Sequence, residues 1–196
     1  MNICVYGAAS NKIDSAYIEA VEKLGCELAK RGHSLVYGGG ASGLMGAVAR
    51  GVFKEKGKII GVVPTFFNVD GVIFEHCTEL IKTKTMRERK QIMEDNADAF
   101  IMVPGGVGTF DEFFEILTLK QLKRHEKPIV VFNANGYFDK FVEMMEKAVA
   151  GGFVSNPTLH LYETISDIDE VFEYIDNYEC IDFDVSDVRH GGKEDE

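Results

Sequence analysis

The sequence predicts an α/β fold in which a doubly wound, mainly parallel sheet carries helices on both faces. Short β-branched runs alternate with amphipathic stretches of helical length, the pattern of parallel α/β proteins. Several of the runs, notably 59–63 and 129–132, are almost wholly apolar, as expected of strands covered on both faces. The 196 residues, 45% of them hydrophobic, also suffice for one domain with a substantial core.

The elements follow in order. A first strand over 3–6 precedes a helix over 15–31, whose apolar residues recur every three or four positions. The second strand, 34–37, leads into a helix over 44–56, and the third, 58–63, is followed by a fourth at 79–82. Strands at 99–103, 129–132 and 161–164 complete the sheet, with helices expected at 86–97, 110–123, 138–150 and 167–177. Residues 1–178 read as a single domain and 179–196 as an acidic C-terminal tail.

The net charge of −11 is unevenly placed: residues 163–196 hold 13 acids against Arg189 and Lys193, whereas the first 162 residues balance at 19 against 19. A polyanion is repelled by that tail and finds no dense basic stripe on the body, which disfavours nucleic acid as a partner. The tail itself reads as a solubilising end. No run approaches the ~20 consecutive apolar residues of a membrane span, and the N-terminus passes into a strand without a basic leader. A cytoplasmic protein without a membrane partner is expected. Cys4, Cys26, Cys77 and Cys180 show no CxxC or Cys/His pairing, so neither a disulfide framework nor a metal site is predicted. The five histidines are dispersed and take no role.

In such sheets ligands sit beyond the carboxyl ends of the strands. Two glycine-rich loops fall there, Gly38-Gly39-Gly40-Ala41-Ser42-Gly43-Leu44-Met45-Gly46 and Pro104-Gly105-Gly106-Val107-Gly108-Thr109. Each opens a helix, so each is either an anion cradle or a tight strand-to-helix turn. Gly38, Gly40 and Gly43 match GxGxxG, but the motif follows the second strand, and Val62, Val63 and Pro64 stand where a ribose-binding acid is required. No GxxxxGK[ST] is present. Dehydrogenase and P-loop readings are therefore set aside.

Cations come from Thr85-Met86-Arg87-Glu88-Arg89-Lys90. Met86, Met93 and Ala97 share one helical stripe, and Arg89 and Lys90 lean toward it from either side, about 60° and 40° away. Arg87 and Glu88 point outward and need no function beyond solvation. The alternative for Arg89 and Lys90 is snorkelling over a methionine seam. Carboxylates come from Asp111 and Glu112. At the start of its helix an acid stays ionised, ready to polarise a water or steady a developing cation. Thr109-x-x-Glu112 is equally a capping box, and Phe110, Phe113, Phe114 and Leu117 form the core-facing stripe.

Taken together, GGGASGLMG (38–46), the MxxRK element (86–90) and PGGVGTFDE (104–112) resemble the Lonely Guy family of cytokinin riboside 5′-monophosphate phosphoribohydrolases, in order and over residues 5–152. Many members have carried the label possible lysine decarboxylase, but no lysine here has a recognisable pyridoxal-phosphate setting. The resemblance implies a Rossmann-like homodimer that hydrolyses the N-glycosidic bond of an N6-substituted AMP, with no metal or organic cofactor. It places the essential arginine on Arg89 and the working acid on Asp111 or Glu112, where the family usually has Glu-Glu and this chain has Asp-Glu; Glu112 is the first choice here and Asp111 the second. Lys90, Gly105, Gly106, Val107, Gly108 and Thr109 would hold phosphate and ribose; Met86, Gly39, Ser42 and Gly43 would complete the nucleotide site. The helices beginning at Met86 and Phe110 would form the dimer interface. The rival is a Rossmann-like carrier or sensor that binds a nucleotide or cofactor without cleaving it.

Overall fold

The computed structural model describes residues 1–67, 71–180 and 185. The elements are β1 (Asn2–Tyr6), α1 (Ser15–Lys30), β2 (Ser34–Tyr37), α2 (Gly43–Lys54), β3 (Ile59–Pro64), β4 (Glu79–Thr83), α3 (Met86–Asp95), β5 (Ala99–Met102), α4 (Val107–Gln121), β6 (Ile129–Phe132), α5 (Asp139–Ala150), β7 (Glu163–Ile165) and α6 (Ile168–Asp176). All seven strands are parallel, in the order β4-β3-β2-β1-β5-β6-β7.

Side chains on β1 alternate between two cores, as a pleated strand requires. Ile3 and Val5 join Leu24 of α1, Val48 of α2 and Phe172 of α6. Cys4 and Tyr6 join Met93 of α3, Phe113 of α4 and Phe141 of α5. Helices therefore cover both faces, and the central strands are apolar throughout because neither face meets water. Each Leu or Phe so buried contributes roughly 1.5–3 kcal/mol of transfer free energy. Among the described residues no helix is long and apolar enough to cross a membrane.

Local signals set the ends. Asp14 accepts from the Ala16 N–H at 2.9 Å, and Asp167 accepts from the N–H groups of Asp169 and Glu170, capping α1 and α6. Lys56 and Lys123 stand at positive φ, 57° and 50°, which ends α2 and α4 before the residues where the sequence predicts. At its other end α4 begins at Val107, not at Phe110. The last strand is displaced to 163–165, because Asn156–His160 forms a 3-10 turn. Phe114, assigned above to the core stripe, lies at the surface beside the buried Phe113. Beyond Cys180 the acidic tail falls, except for residue 185, outside the described residues.

His125, just past α4, is buried with its Nε2 bonded to the Ile116 carbonyl oxygen at 2.8 Å, while Nδ1 accepts from the Lys127 N–H at 3.2 Å. That pairing selects the neutral Nε2–H tautomer. Burial pushes its pKa down to about 4, against the bond to Ile116. An unfolded histidine titrates near 6.5, so the unfolded chain takes up the proton first as pH falls. Stability present above that value is lost between about pH 6.5 and 4, on the order of 3 kcal/mol. Thermal melts across this window should show the loss. His125→Gln should melt lower at pH 7.5 and decline less steeply toward pH 4.

Candidate active site

The chain winds outward from β1 to β4 and then returns to set β5 on the other side of β1. The connections diverge there, and the crevice beyond these two carboxyl ends is where open α/β sheets bind ligands. A cavity of about 560 Å³ opens at this point. Loops after β1, β2 and β5 form its floor, and Phe67, Val72, Ile73 and Met86 form an apolar wall. The wall is tied down through main chain: the Ala41 N–H donates to the Val72 carbonyl oxygen and the Phe74 N–H to that of Gly39, both at 2.9 Å. Gly40 and Ile73 make an antiparallel bridge between these bonds.

The positive end of α4 points into the cavity. Gly106 caps it with extended backbone and no side-chain bond. The first helical bond runs from the Phe110 N–H to the Gly106 carbonyl oxygen at 3.1 Å, which leaves the N–H groups of Val107, Gly108 and Thr109 without a helical acceptor. Such an end attracts anions. Because α4 starts here, Thr109 is its third residue and the box from Thr109 to Glu112 does not form. A box-like cap does form on α3, where Thr85 Oγ1 accepts from the Glu88 N–H at 3.1 Å and the Glu88 carboxylate reaches one residue past the cap to accept from the Lys84 N–H at 2.7 Å. Glu88, read as merely solvated, thus fixes the start of the helix that carries the cations.

Arg89 points inward. It donates Nε–H to the Val62 carbonyl oxygen at 3.1 Å and Nη1–H to Glu112 Oε1 at 3.0 Å, and both charged side chains are 12% exposed. Three of the five guanidinium N–H groups remain for a ligand. Nη2 lies over Gly38, where a Cβ would overlap it. Burial pushes the Glu112 carboxyl above the ordinary glutamate range, and the neighbouring Arg89 charge opposes the shift without cancelling it. Beside this pair, Lys90 bonds Asp111 Oδ2 at 3.0 Å and Glu115 Oε2 at 2.6 Å, a clamp between α3 and α4. Burial works against that ammonium, yet the two carboxylates hold its pKa above the usual lysine value. Asp111 is 61% exposed. Of the two candidate acids, only Glu112 is sheltered from water at the cavity.

Residues 45–175 match the family described as possible lysine decarboxylase. The Oryza sativa subsp. japonica protein named probable cytokinin riboside 5′-monophosphate phosphoribohydrolase LOGL9 is 38% identical over 176 residues, 90% of this chain and 78% of its own length. The chain belongs to the LOG family. Cytokinin riboside 5′-monophosphate phosphoribohydrolase LOG1 of Arabidopsis thaliana is 36% identical over 178 residues, 90% of this chain and 83% of its own. Among solved structures, the molybdenum cofactor binding protein from Rippkaea orientalis superposes with a TM-score of 0.69 at 21% identity, covering 89% of this chain and 94% of that one. The molybdenum cofactor carrier protein from Chlamydomonas reinhardtii gives 0.67 at 21% identity over 89% and 95%. That likeness is one of Rossmann-like fold.

In this LOG-family chain, the cavity brings together Arg89, Lys90, Asp111, Glu112, Met86, Gly39, Gly106, Gly108 and Thr109 of the sequence-predicted residues. Four others lie off its lining. Gly105 accepts from the Tyr137 hydroxyl at 2.7 Å and borders a separate hollow of about 290 Å³. Val107 turns its side chain to solvent, 88% exposed, and brings only its N–H to the helix end. Ser42 precedes α2 without a side-chain cap bond. Gly43, at φ 58°, packs so tightly on the loop after β1 that a Cβ would lie 2.7 Å from the Ala8 carbonyl oxygen.

Sequence reasoning missed the β1 loop, Gly7-Ala8-Ala9-Ser10, although a small-residue loop after the first strand of such a sheet is itself a signal. It also missed Phe67, Val72 and Ile73, which have no local signature.

Gly38 supplies a direct check on the placement of Arg89. Gly38→Ala should press a methyl onto the guanidinium and cost roughly 10- to 100-fold in turnover. Its melting temperature should stay within a few degrees of the unchanged chain. Normal kinetics in that variant would mean that Arg89 can step aside freely.

Proposed function

We propose that this chain hydrolyses the N-glycosidic bond of N6-substituted adenosine 5′-monophosphates, releasing the free base and ribose 5-phosphate. The observation that carries the reading is the sheltered Arg89–Glu112 pair, set in one cavity with the positive end of α4. The names of the relatives, cytokinin riboside 5′-monophosphate phosphoribohydrolases, support the same chemistry.

In this reading the 5′-phosphate sits on the N–H groups of Val107, Gly108 and Thr109, with the remaining Arg89 donors and Lys90 nearby. When the C1′–N9 bond breaks, its electron pair leaves with the base and the ribose becomes an oxocarbenium ion. The Glu112 carboxylate faces that cation, orients a water toward C1′ and accepts its proton, as carboxylates do in glycoside hydrolysis. The water oxygen becomes the anomeric hydroxyl, the departing base takes its proton from solvent, and Glu112 returns its own to solvent, so that one water is consumed overall. Arg89 keeps Glu112 aimed and offsets the repulsion between carboxylate and phosphate. Asp111, more exposed and tied to Lys90, serves the clamp. Phe67, Val72, Ile73 and Met86 suit a planar base with an apolar N6 group. The reading carries with it a cytoplasmic homodimer working without metal or organic cofactor. Exposed Met86 on α3, with Val107 and Phe114 on α4, supports the shared face.

Purified protein incubated with AMP and with its N6-isopentenyl derivative should release base and ribose 5-phosphate, measured by chromatography. Binding without release would favour the carrier. Glu112→Gln should lower kcat by ~100-fold or more, as loss of a general base does, with nucleotide affinity largely kept. Because the ionised carboxylate works, activity should fall on the acid side at a pH above the ordinary glutamate range. Arg89→Met, which leaves burial unopposed, should move that limb to still higher pH in a kcat–pH profile.

A further inference from the structure

Behind the glycine loop after β5 lies the smaller hollow of about 290 Å³, and Ala8 and Gly106 line both it and the cavity. Tyr137 enters this hollow from the turn after β6. There Ala134–Gly136 forms a 3-10 turn, with Asn135 and Gly136 at φ 51° and 71°. Asn133 fixes the turn in place. Its N–H donates to the Ile165 carbonyl oxygen of β7 at 2.8 Å, and its Oδ1 accepts from the Phe138 N–H at 2.6 Å. The Tyr137 ring stands edge-on to Phe138 and Tyr17, with centroids 4.9 and 5.8 Å away.

A tyrosine that is 42% exposed can turn its hydroxyl to water. This one donates instead to the Gly105 carbonyl oxygen at 2.7 Å, a normal distance for an O–H donor. The preceding carbonyl is held too, because the Ala8 N–H donates to the Pro104 oxygen at 3.1 Å. Gly105 and Gly106 have no side chains with which to fix the peptide between them. In a trans peptide the C=O and the following N–H point in opposite directions. Holding the Gly105 carbonyl on the hollow's side therefore turns the Gly106 N–H toward the cavity. Among the described residues that N–H has no hydrogen-bond acceptor.

We propose that Tyr137 is a positioning residue for the substrate phosphate: its hydroxyl locks the Gly105–Gly106 peptide so that the Gly106 N–H joins those of Val107, Gly108 and Thr109 at the start of α4. A hydrogen bond accepted by the carbonyl also polarises the peptide and strengthens its N–H as a donor. That role rests on the phosphate placement proposed above, and it adds a residue whose side chain lies outside the cavity.

The test compares the unchanged chain with Tyr137→Phe, which keeps the ring and its edge-on contacts. In calorimetry the variant should bind ribose 5-phosphate roughly three- to tenfold more weakly, the share of one hydrogen bond. With N6-isopentenyl AMP, KM should rise by a similar factor while kcat stays within about twofold, as for a contact made equally in ground and transition states. In spectra of protein labelled with 15N-glycine, the resonance missing from Gly106→Ala identifies the Gly106 amide. Ribose 5-phosphate should shift it downfield, and less far in Tyr137→Phe. Equal affinity in the two proteins would overturn the proposal, as would a Gly106 resonance that ignores the ligand. A lowered melting temperature with affinity kept would reduce Tyr137 to a structural pin and overturn it as well. Calorimetry needs no turnover, so a chain that binds ribose 5-phosphate without cleaving AMP defeats the hydrolysis proposal and leaves this one standing.

Discussion

A guanidinium and a carboxylate, both largely out of water, are held 3.0 Å apart by parts of the chain that are distant in sequence. Arg89 comes from α3, Glu112 from α4, and the Val62 carbonyl oxygen that takes the second guanidinium bond from β3. Burying either ion alone would be strongly unfavourable, and even the pair is tolerable only when geometry and remaining hydrogen bonds are good. The surroundings meet that condition. Gly38 leaves room for the guanidinium, and Lys90 draws α3 and α4 together through two carboxylates one helical turn apart. The Thr85–Glu88 cap fixes where the turn bearing Arg89 begins.

The winding of the sheet explains why this pair lies at the crevice where open α/β sheets bind ligands. The order β4-β3-β2-β1-β5-β6-β7 sends the loops after β1, β2 and β5 into one crevice. The loop after β5 delivers a helix start whose free N–H groups favour negative charge. Six residues into the same helix stands Glu112, whose own charge disfavours it. One element thus presents an attractive end to an anion and a carboxylate a short way along. Arg89 lies between these opposed demands, bonded to the acid and with donors to spare.

Much of this was legible in the residues. Alternating runs disclosed the strands and helices because a parallel sheet leaves its strands apolar on both faces, and helical geometry turned Arg89 and Lys90 inward. The start of α4 was misread by three residues for a physical reason. Its cap is a glycine, which carries no side-chain signal, while Thr109 and Glu112 imitated a box that the cap at Thr85 and Glu88 resembles in spelling. Choosing between Asp111 and Glu112 needed three dimensions, since adjacent helical residues differ by about 100° in direction and only the fold says which direction is sheltered. Val72 and Ile73 were invisible because the bridge between Gly40 and Ile73 joins segments far apart in sequence.

That bridge also separates two kinds of constraint. Val72 and Ile73 reach the cavity on backbone whose bonds to Gly39 and Ala41 involve no side chain, so the identity of those side chains is not dictated by what anchors them. Arg89 and Glu112 have no such latitude, because each is the other's counter-ion. Substitutions at Val72 or Ile73 can therefore enlarge or narrow the apolar wall while the Arg89–Glu112 pair stays as it is. The shape of the space beside the charged pair can thus change while the pair itself keeps its geometry.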